Sequence, residues 1–329
     1  MLLGSAGASA GAPEWPSVRL SDGALHPRIG FGTYKVGYVP PSASSAASGA
    51  EAAGGDAANA EAIVGAALGV GYRFLDCAQY YGNEANVGRA VSASGVPRAD
   101  LYLASKVWTD AIYAGPEAVR REIERSLVDL QTEYLDLYLV HWPVPGYHVE
   151  AYLEVQRAQA EGLIRSIGVS NYAVEDVEEL LSDPRVTSRP VVNQIELNPF
   201  LYRPETLAYM ARCGIQVQAY RALRDGKAFD DPTVARIATE HGRSSAQVLG
   251  RWCLGKGAIY MPKSTNPQRM AENARVFDFA LTPANVADLD GLTTPRAIQQ
   301  FKALYEKCVV RDTPLSPDDE RIKRDITAG

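Results

Sequence analysis

No C-x-x-C pair occurs in this sequence, and its four cysteines, at 77, 213, 253 and 308, show no paired spacing. A disulfide framework and a zinc ribbon are therefore not expected, and reduced structural thiols are. Histidine is equally scarce, with four in the chain, so no metal-ligand cluster is visible. No apolar run approaches the roughly 20 residues that cross a bilayer. The N-terminus, Met1 to Pro13, is small and Gly/Ala-rich. It has no basic n-region, too short an apolar run for a signal peptide, and none of the arginines of a transit peptide, so the cytoplasm is the expected location. Basic residues are in deficit. The net charge of −6 argues against nucleic acid or an anionic membrane as the main partner.

A length of 329 residues admits two domains or one α/β barrel. Residues 18–26 read as a β-hairpin turning on Asp22-Gly23. After it, apolar runs expected as strands fall at 31–33, 72–75, 101–104, 135–140, 166–169, 191–195, 215–219 and 258–261. Helical patterns separate them. They start near Glu61, run over 84–93, open at Pro116, run over 149–159, 174–181 and 204–212, and open again at Asp231-Pro232, Ser244 and Asn266-Pro267. Eight βα units in one chain predict an α/β fold, a (β/α)8 TIM barrel with a short N-terminal hairpin. A doubly wound sheet would carry G-x-G-x-x-G at its first βα turn, and none is there. Residues 40–60 contain no large apolar side chain and are expected to be a flexible insertion. The expected organisation is a flexible stretch 1–15, then one barrel domain 16–329 ending in a tail at 293–329. That tail reads as a helix fragment plus coil anchored by Phe301, Leu304 and Tyr305.

Active residues of such a barrel sit at the C-terminal ends of the strands. Asp76, Lys106, His141, Ser170-Asn171, Gln194, Tyr220 and Lys263 all fall within a residue or two of a strand end, and Tyr81 follows Asp76 closely. A phenol, an ammonium, a carboxylate and an imidazole gathered on one rim are the makings of an acid–base site.

Four motifs then carry a family resemblance over most of the chain, from the hairpin to about Leu292. Asp76-Cys77-Ala78-Gln79-Tyr80-Tyr81-Gly82-Asn83-Glu84 resembles the D-T-A-x-x-Y-x-N-E of the aldo-keto reductases, the aldose reductase-like enzymes among them. Gly168-Val169-Ser170-Asn171 resembles their G-V-S-N, and Asn193-Gln194-Ile195-Glu196-Leu197-Asn198-Pro199 their N-Q-x-E-x-x-P. Met261-Pro262-Lys263-Ser264, with Arg269, Glu272 and Asn273, resembles their I-P-K-S and the helix after it. The resemblance implies an NADPH-dependent reductase of aldehydes or ketones. By position, Tyr81 is the general acid, Lys106 its electrostatic partner, Asp76 the partner of Lys106, and His141 the group that orients the carbonyl.

Elementary chemistry agrees with those roles. A hydride added to a carbonyl carbon leaves an alkoxide that needs a proton. A nearby ammonium is expected to lower a phenol's pKa by about 1 to 3 units. Ser170, Asn171 and Gln194 suit a carboxamide, and Tyr220 suits a stacked nicotinamide ring. Lys263, Ser264 and Arg269 suit a 2′-phosphate at a helix start. The resemblance adds Thr33, Leu223, Glu272 and Asn273 to the NADPH/NADP+ site, and Tyr34, Trp108 and Trp142 to the substrate pocket.

The chain departs from the family pattern at Cys77, where Thr is usual, and at Tyr34, where Trp is common. Arg221-Ala222-Leu223 replaces Ser-Pro-Leu, and a short loop follows. Arg221 is expected either to grip the cofactor pyrophosphate or to pair with an acid such as Asp225. A monomer acting on a small carbonyl compound is expected, with no metal. A non-catalytic nucleotide-binding barrel serving as an interaction or regulatory subunit is the alternative. A pyridoxal-phosphate barrel with Lys106 as Schiff base is a third reading.

Overall fold

The computed structural model of the protein describes residues 15–38, 40 and 57–327. Strands β1 (Ser17–Arg19) and β2 (Leu25–Pro27) pair antiparallel. At their turn Gly23 takes φ +92°, and Asp22 Oδ1 accepts the Ala24 N–H at 2.9 Å. Such a positive φ is why glycine follows Asp here.

Eight further strands follow in order, each parallel to the next. They are β3 (Phe31–Gly32), β4 (Phe74–Asp76), β5 (Tyr102–Val107), β6 (Leu135–Val140), β7 (Ile164–Ser170), β8 (Val192–Glu196), β9 (Gln216–Tyr220) and β10 (Ile259–Tyr260). Ile29 bridges Tyr260 in parallel, and the Gly30 N–H donates to the Tyr260 carbonyl at 2.9 Å, so the sheet closes on itself. Gly30 is required there. A Cβ on it would stand 2.1 Å from the Phe74 ring, which fills the barrel interior. All eight expected strands are present, and the fold is a (β/α)8 barrel with an N-terminal hairpin.

Helices cover the outside, and their starts follow from side-chain caps. Asp231 accepts from the N–H groups of Thr233 and Val234, Ser244 and Gln247 cap each other reciprocally, and Asn266 accepts from Arg269 N–H. The hairpin plugs the closed end. Val18, Leu20 and Ala24 pack against Phe74, Tyr102, Leu137, Val192 and Ile259 of the barrel interior.

Three expectations change. The insertion expected at 40–60 lies outside the described residues from 41 to 56, and beyond it the chain is helical from Ala57 rather than Glu61. The expected flexible N-terminus lies outside them up to residue 14, whereas Trp15 packs edge-on to Tyr72 at 5.1 Å. The tail is more ordered than a helix fragment. Helix Pro295–Val309 lays Ile298, Phe301, Tyr305, Cys308 and Val309 against Trp108, Trp142 and Leu201, and Ile322 and Ile326 complete the cluster. Asp176 anchors this roof, accepting from Tyr305 Oη at 2.5 Å and Arg324 Nε at 2.6 Å. Two helices, Thr109–Ala114 and Pro283–Asp290, were not expected. Among the described residues, no helix is long and apolar enough to cross a membrane, and no cluster of His, Cys, Asp and Glu is arranged to hold a metal ion.

Candidate active site

Consecutive strands deliver the reactive groups to one rim. Asp76 ends β4, Lys106 is the penultimate residue of β5, and His141 follows β6. Tyr81 comes from one helical turn, Gln79–Tyr81, which Gly82 ends with φ +65°. A Cβ on Gly82 would also meet the Tyr38 ring at 2.6 Å.

Lys106 is fully buried. Its Nζ lies 2.8 Å from Asp76 Oδ1 and donates to the Cys77 carbonyl at 2.7 Å and to Tyr81 Oη at 3.1 Å. Three hydrogens thus meet three acceptors. Nζ is enclosed by these groups with no open approach for an aldehyde, which counts against the pyridoxal-phosphate reading. Asp76 Oδ1 takes a second donor, Gln194 Nε2, at 2.7 Å.

Tyr81 departs from expectation. Burial pushes its phenol well above the ordinary value, and the Asp76 carboxylate pushes the same way. The geometry explains this. Asp76 sits against Lys106 and offsets part of its charge, and the desolvation of a phenolate dominates. Tyr81 therefore holds its proton at neutral pH.

Burial also pulls His141 well below its usual value, and the Lys106 charge adds to that. The ring is neutral, with Nδ1 buried and without a hydrogen-bond partner among the described residues. An orphaned lone pair is better tolerated than an orphaned N–H. The favoured tautomer therefore carries its proton on Nε2.

The expected cofactor residues fall into three groups. Asn171, with φ +62°, donates from Nδ2 to the His141 carbonyl at 3.1 Å and accepts from Tyr220 Oη at 2.7 Å. Gln194 lies one strand over, with both amide hydrogens engaged and Oε1 left to accept. Ser170 and Thr33 brace strand ends, their hydroxyls donating to the carbonyls of Gln194 and Asp76, each at 2.9 Å.

Lys263 is exposed beside Gly32, and Ser264 Oγ accepts from Asn266 N–H at 3.1 Å. Arg269 is exposed in the first turn of helix Pro267–Ala274, Glu272 is half-buried and Asn273 is buried. Arg221 is engaged elsewhere. Its Nη1 lies 3.0 Å from Glu196 Oε2 and its Nη2 3.1 Å from Asp225 Oδ2. Burial opposes its charge, but these two carboxylates outweigh burial and raise its pKa. The pairing with Asp225 was an expected alternative; the one with Glu196 was not. Leu223 precedes the single turn Arg224–Gly226 and is half-buried.

Aromatic rings wall the opposite side. Tyr34 lies 5.1 Å from the Tyr81 ring, and Trp108 meets the His141 edge at 4.8 Å. Trp142 packs edge-on to Tyr305 at 6.0 Å. Several residues here escaped sequence reasoning. Tyr80 stacks on Trp108 at 3.8 Å, and Gln79 Oε1 accepts the Trp108 N–H at 2.6 Å. Asp312 accepts from Trp108 Nε1 at 2.7 Å, and Arg311 donates to Tyr80 Oη at 3.4 Å. The spacing 298, 301, 305, 308 is a helical stripe that could have announced the roof.

The aldo/keto reductase family profile matches residues 28–294. The chain belongs to the aldo/keto reductase family. An aldo-keto reductase of Mycolicibacterium smegmatis is 37% identical over 285 residues, covering 86% of this chain and 95% of that protein. The glyoxal reductase of Bacillus subtilis is 37% identical over 276 residues, covering 84% and 92%. Among solved structures, an aldo/keto reductase from Brucella melitensis superposes with a TM-score of 0.73 at 36% identity, covering 85% of this chain and all of that one. An aldo-keto reductase of Bombyx mori in complex with NADP has a TM-score of 0.74 at 32% identity, covering 86% and 94%. Aldo-keto reductases are oxidoreductases that bind a nicotinamide cofactor, so this barrel belongs to an enzyme family.

Proposed function

We propose that the chain reduces aldehydes or ketones to alcohols with NADPH, and that Tyr81 donates the proton. The observation that carries this reading is Lys106 Nζ, buried between Asp76 at 2.8 Å and Tyr81 Oη at 3.1 Å. When bound, the nicotinamide supplies a hydride. The remaining work falls to the chain. The His141 N–H meets the carbonyl oxygen and orients it. Tyr81 Oη gives that oxygen a proton as it becomes an alkoxide, and Lys106 stabilises the charge left on the phenol. Asp76 keeps the ammonium aimed. Trp108, Trp142, Tyr80 and Tyr34 exclude water, which strengthens each polar contact in the site.

The donor set suits the cofactor. Asn171, the Gln194 oxygen and the Tyr220 face would take the nicotinamide, braced by Ser170 and Thr33. Lys263, Ser264 and Arg269 would take the 2′-phosphate, with Glu272 and Asn273 on the same helix contacting the rest of that end of the cofactor. Leu223 and Arg221 would flank the pyrophosphate. Arg221 would first have to release Glu196 or Asp225, so its part costs the most. A substrate in the size range of small aldehydes and dicarbonyls is favoured by the glyoxal reductase among the relatives. The whole described chain would act as one domain.

The test is a carbonyl screen, glyoxal included, that follows NADPH absorbance for wild type and Tyr81→Phe. Turnover should fall by at least about 100-fold in the variant, the loss typical of a missing general acid, while NADPH still binds. Near-normal turnover by Tyr81→Phe would overturn the assignment. A wild type that binds NADPH and reduces nothing would favour the non-catalytic barrel.

A further inference from the structure

The apolar barrel interior holds a file of buried polar side chains. His26, Gln218, Gln194 and Asp76 are 0%, 0%, 2% and 3% exposed. The file starts at the closed end of the barrel and finishes at the candidate catalytic rim. His26 belongs to hairpin strand β2, its imidazole edge-on to Phe74 and tilted on Tyr102, with centroids 4.6 and 4.1 Å apart.

The hydrogen bonds along this file have one direction. His26 Nδ1 lies 2.7 Å from the Pro27 carbonyl oxygen. A carbonyl only accepts, so Nδ1 carries the proton. Burial keeps the ring neutral, pulling it down to about 3. Nε2 is therefore bare and accepts from Gln218 Nε2 at 2.8 Å. Gln218 then turns its oxygen to Gln194 Nε2 at 2.9 Å. The other Gln194 hydrogen goes to Asp76 Oδ1 at 2.7 Å, the oxygen that Lys106 holds at 2.8 Å.

Each amide depends on the one below it. With Gln218 turned over, two NH2 groups would face each other. Gln194 would then turn as well and aim an acceptor at a carboxylate. Neither arrangement is tolerable without water.

We propose that His26 is a positioning residue for the reaction at the opposite end of the barrel. Its bare Nε2 orients Gln218 and Gln194, so that Gln194 donates to Asp76 and holds the carboxylate on Lys106. The inference rests on the reductase reading above.

The test uses His26→Leu and Gln218→Leu in the full chain, alone and in the Tyr81→Phe background, with nitrogen NMR of His26 in the wild type. NMR should find Nδ1 protonated and Nε2 bare. Each Leu variant should lose kcat by about tenfold or more, as small misplacements at an active site do. The NADPH Kd should rise as well, because a mis-turned Gln194 also withdraws the oxygen proposed for the nicotinamide. Neither Leu variant should lose further activity in the Tyr81→Phe background, because the pathway ends at that proton. Losses that multiply with Tyr81→Phe would indicate general damage and overturn the proposal. So would a protonated Nε2, or unchanged kcat in both variants. If His26→Leu does not fold, Gln218→Leu and the NMR decide. Unaffected variants of an active wild type defeat this inference alone, whereas an inactive wild type defeats the reductase reading and this inference with it.

Discussion

Replacing Lys106 by Met and Asp76 by Asn, singly and together, separates what the buried ion pair does for folding from what it does for chemistry. Nζ and Oδ1 are 2.8 Å apart, on side chains 0% and 5% exposed, so water cannot replace a missing partner. Removing one member of such a pair costs ~3–5 kcal/mol. For 329 residues, an unfolding entropy of roughly 2.1 cal/mol/K per residue makes each degree of melting temperature worth about 0.7 kcal/mol. Each single variant should then melt ~4–7 °C below wild type. Lys106→Met should be the worse, because it leaves a buried carboxylate with Gln194 as its remaining side-chain donor. Asp76→Asn leaves the ammonium on the Cys77 carbonyl and Tyr81. The double variant strands no charge, and the amide oxygen introduced by Asp76→Asn can still accept from Gln194, so most of the lost stability should return. Its turnover should stay as low as that of Lys106→Met. Thermal unfolding followed by circular dichroism, with NADPH oxidation on the same samples, reads both quantities. A double variant as unstable as the sum of the singles would overturn the ion-pair account, as would Lys106→Met melting at the wild-type temperature.

Glu84 is buried with its oxygens on Ser105 Oγ at 2.5 Å and Ser126 Oγ at 3.1 Å, and burial raises its carboxyl to about 7. Its contribution to stability is full below about pH 4.3, the unfolded pKa, and is lost as pH rises to the folded value, at up to ~1.4 kcal/mol per pH unit. Wild type should accordingly lose stability relative to Glu84→Gln over that window, and a pH-independent difference would contradict the assignment. Arg269→Ala should shrink the preference for NADPH over NADH in kcat/KM roughly ten- to hundredfold, the worth of one charge-assisted contact; equal cofactor ratios in wild type and variant would remove Arg269 from the 2′-phosphate site. Arg324→Leu takes a cation from the fully buried Asp176 and should free the tail, so trypsin should cut at Arg311, Arg321 and Lys323 sooner than in wild type. An unchanged digestion pattern would show that the apolar roof holds without its anchor.

The barrel was legible because its signals are local. Period-2 and period-3.6 apolar patterns, Pro at the first helical position and the Ser244–Gln247 box act within a few residues of themselves. Once eight parallel strands close a barrel, strand ends share one rim, so Asp76, Lys106 and His141 could be placed together from their positions in the chain. What a side chain experiences on that rim depends on partners far away in sequence, which meet only when the chain packs. Burial and the Asp76 carboxylate outweigh the Lys106 ammonium at Tyr81, so its phenol rises instead of falling. Glu196, 25 residues before Arg221, takes its guanidinium. The stripe of the tail helix was readable, but not its target, because Trp108 and Trp142 lie on loops after two other strands. Periodicity says which face of an element is apolar. Only the packed chain says what covers that face, and therefore which charges stand alone and which are matched.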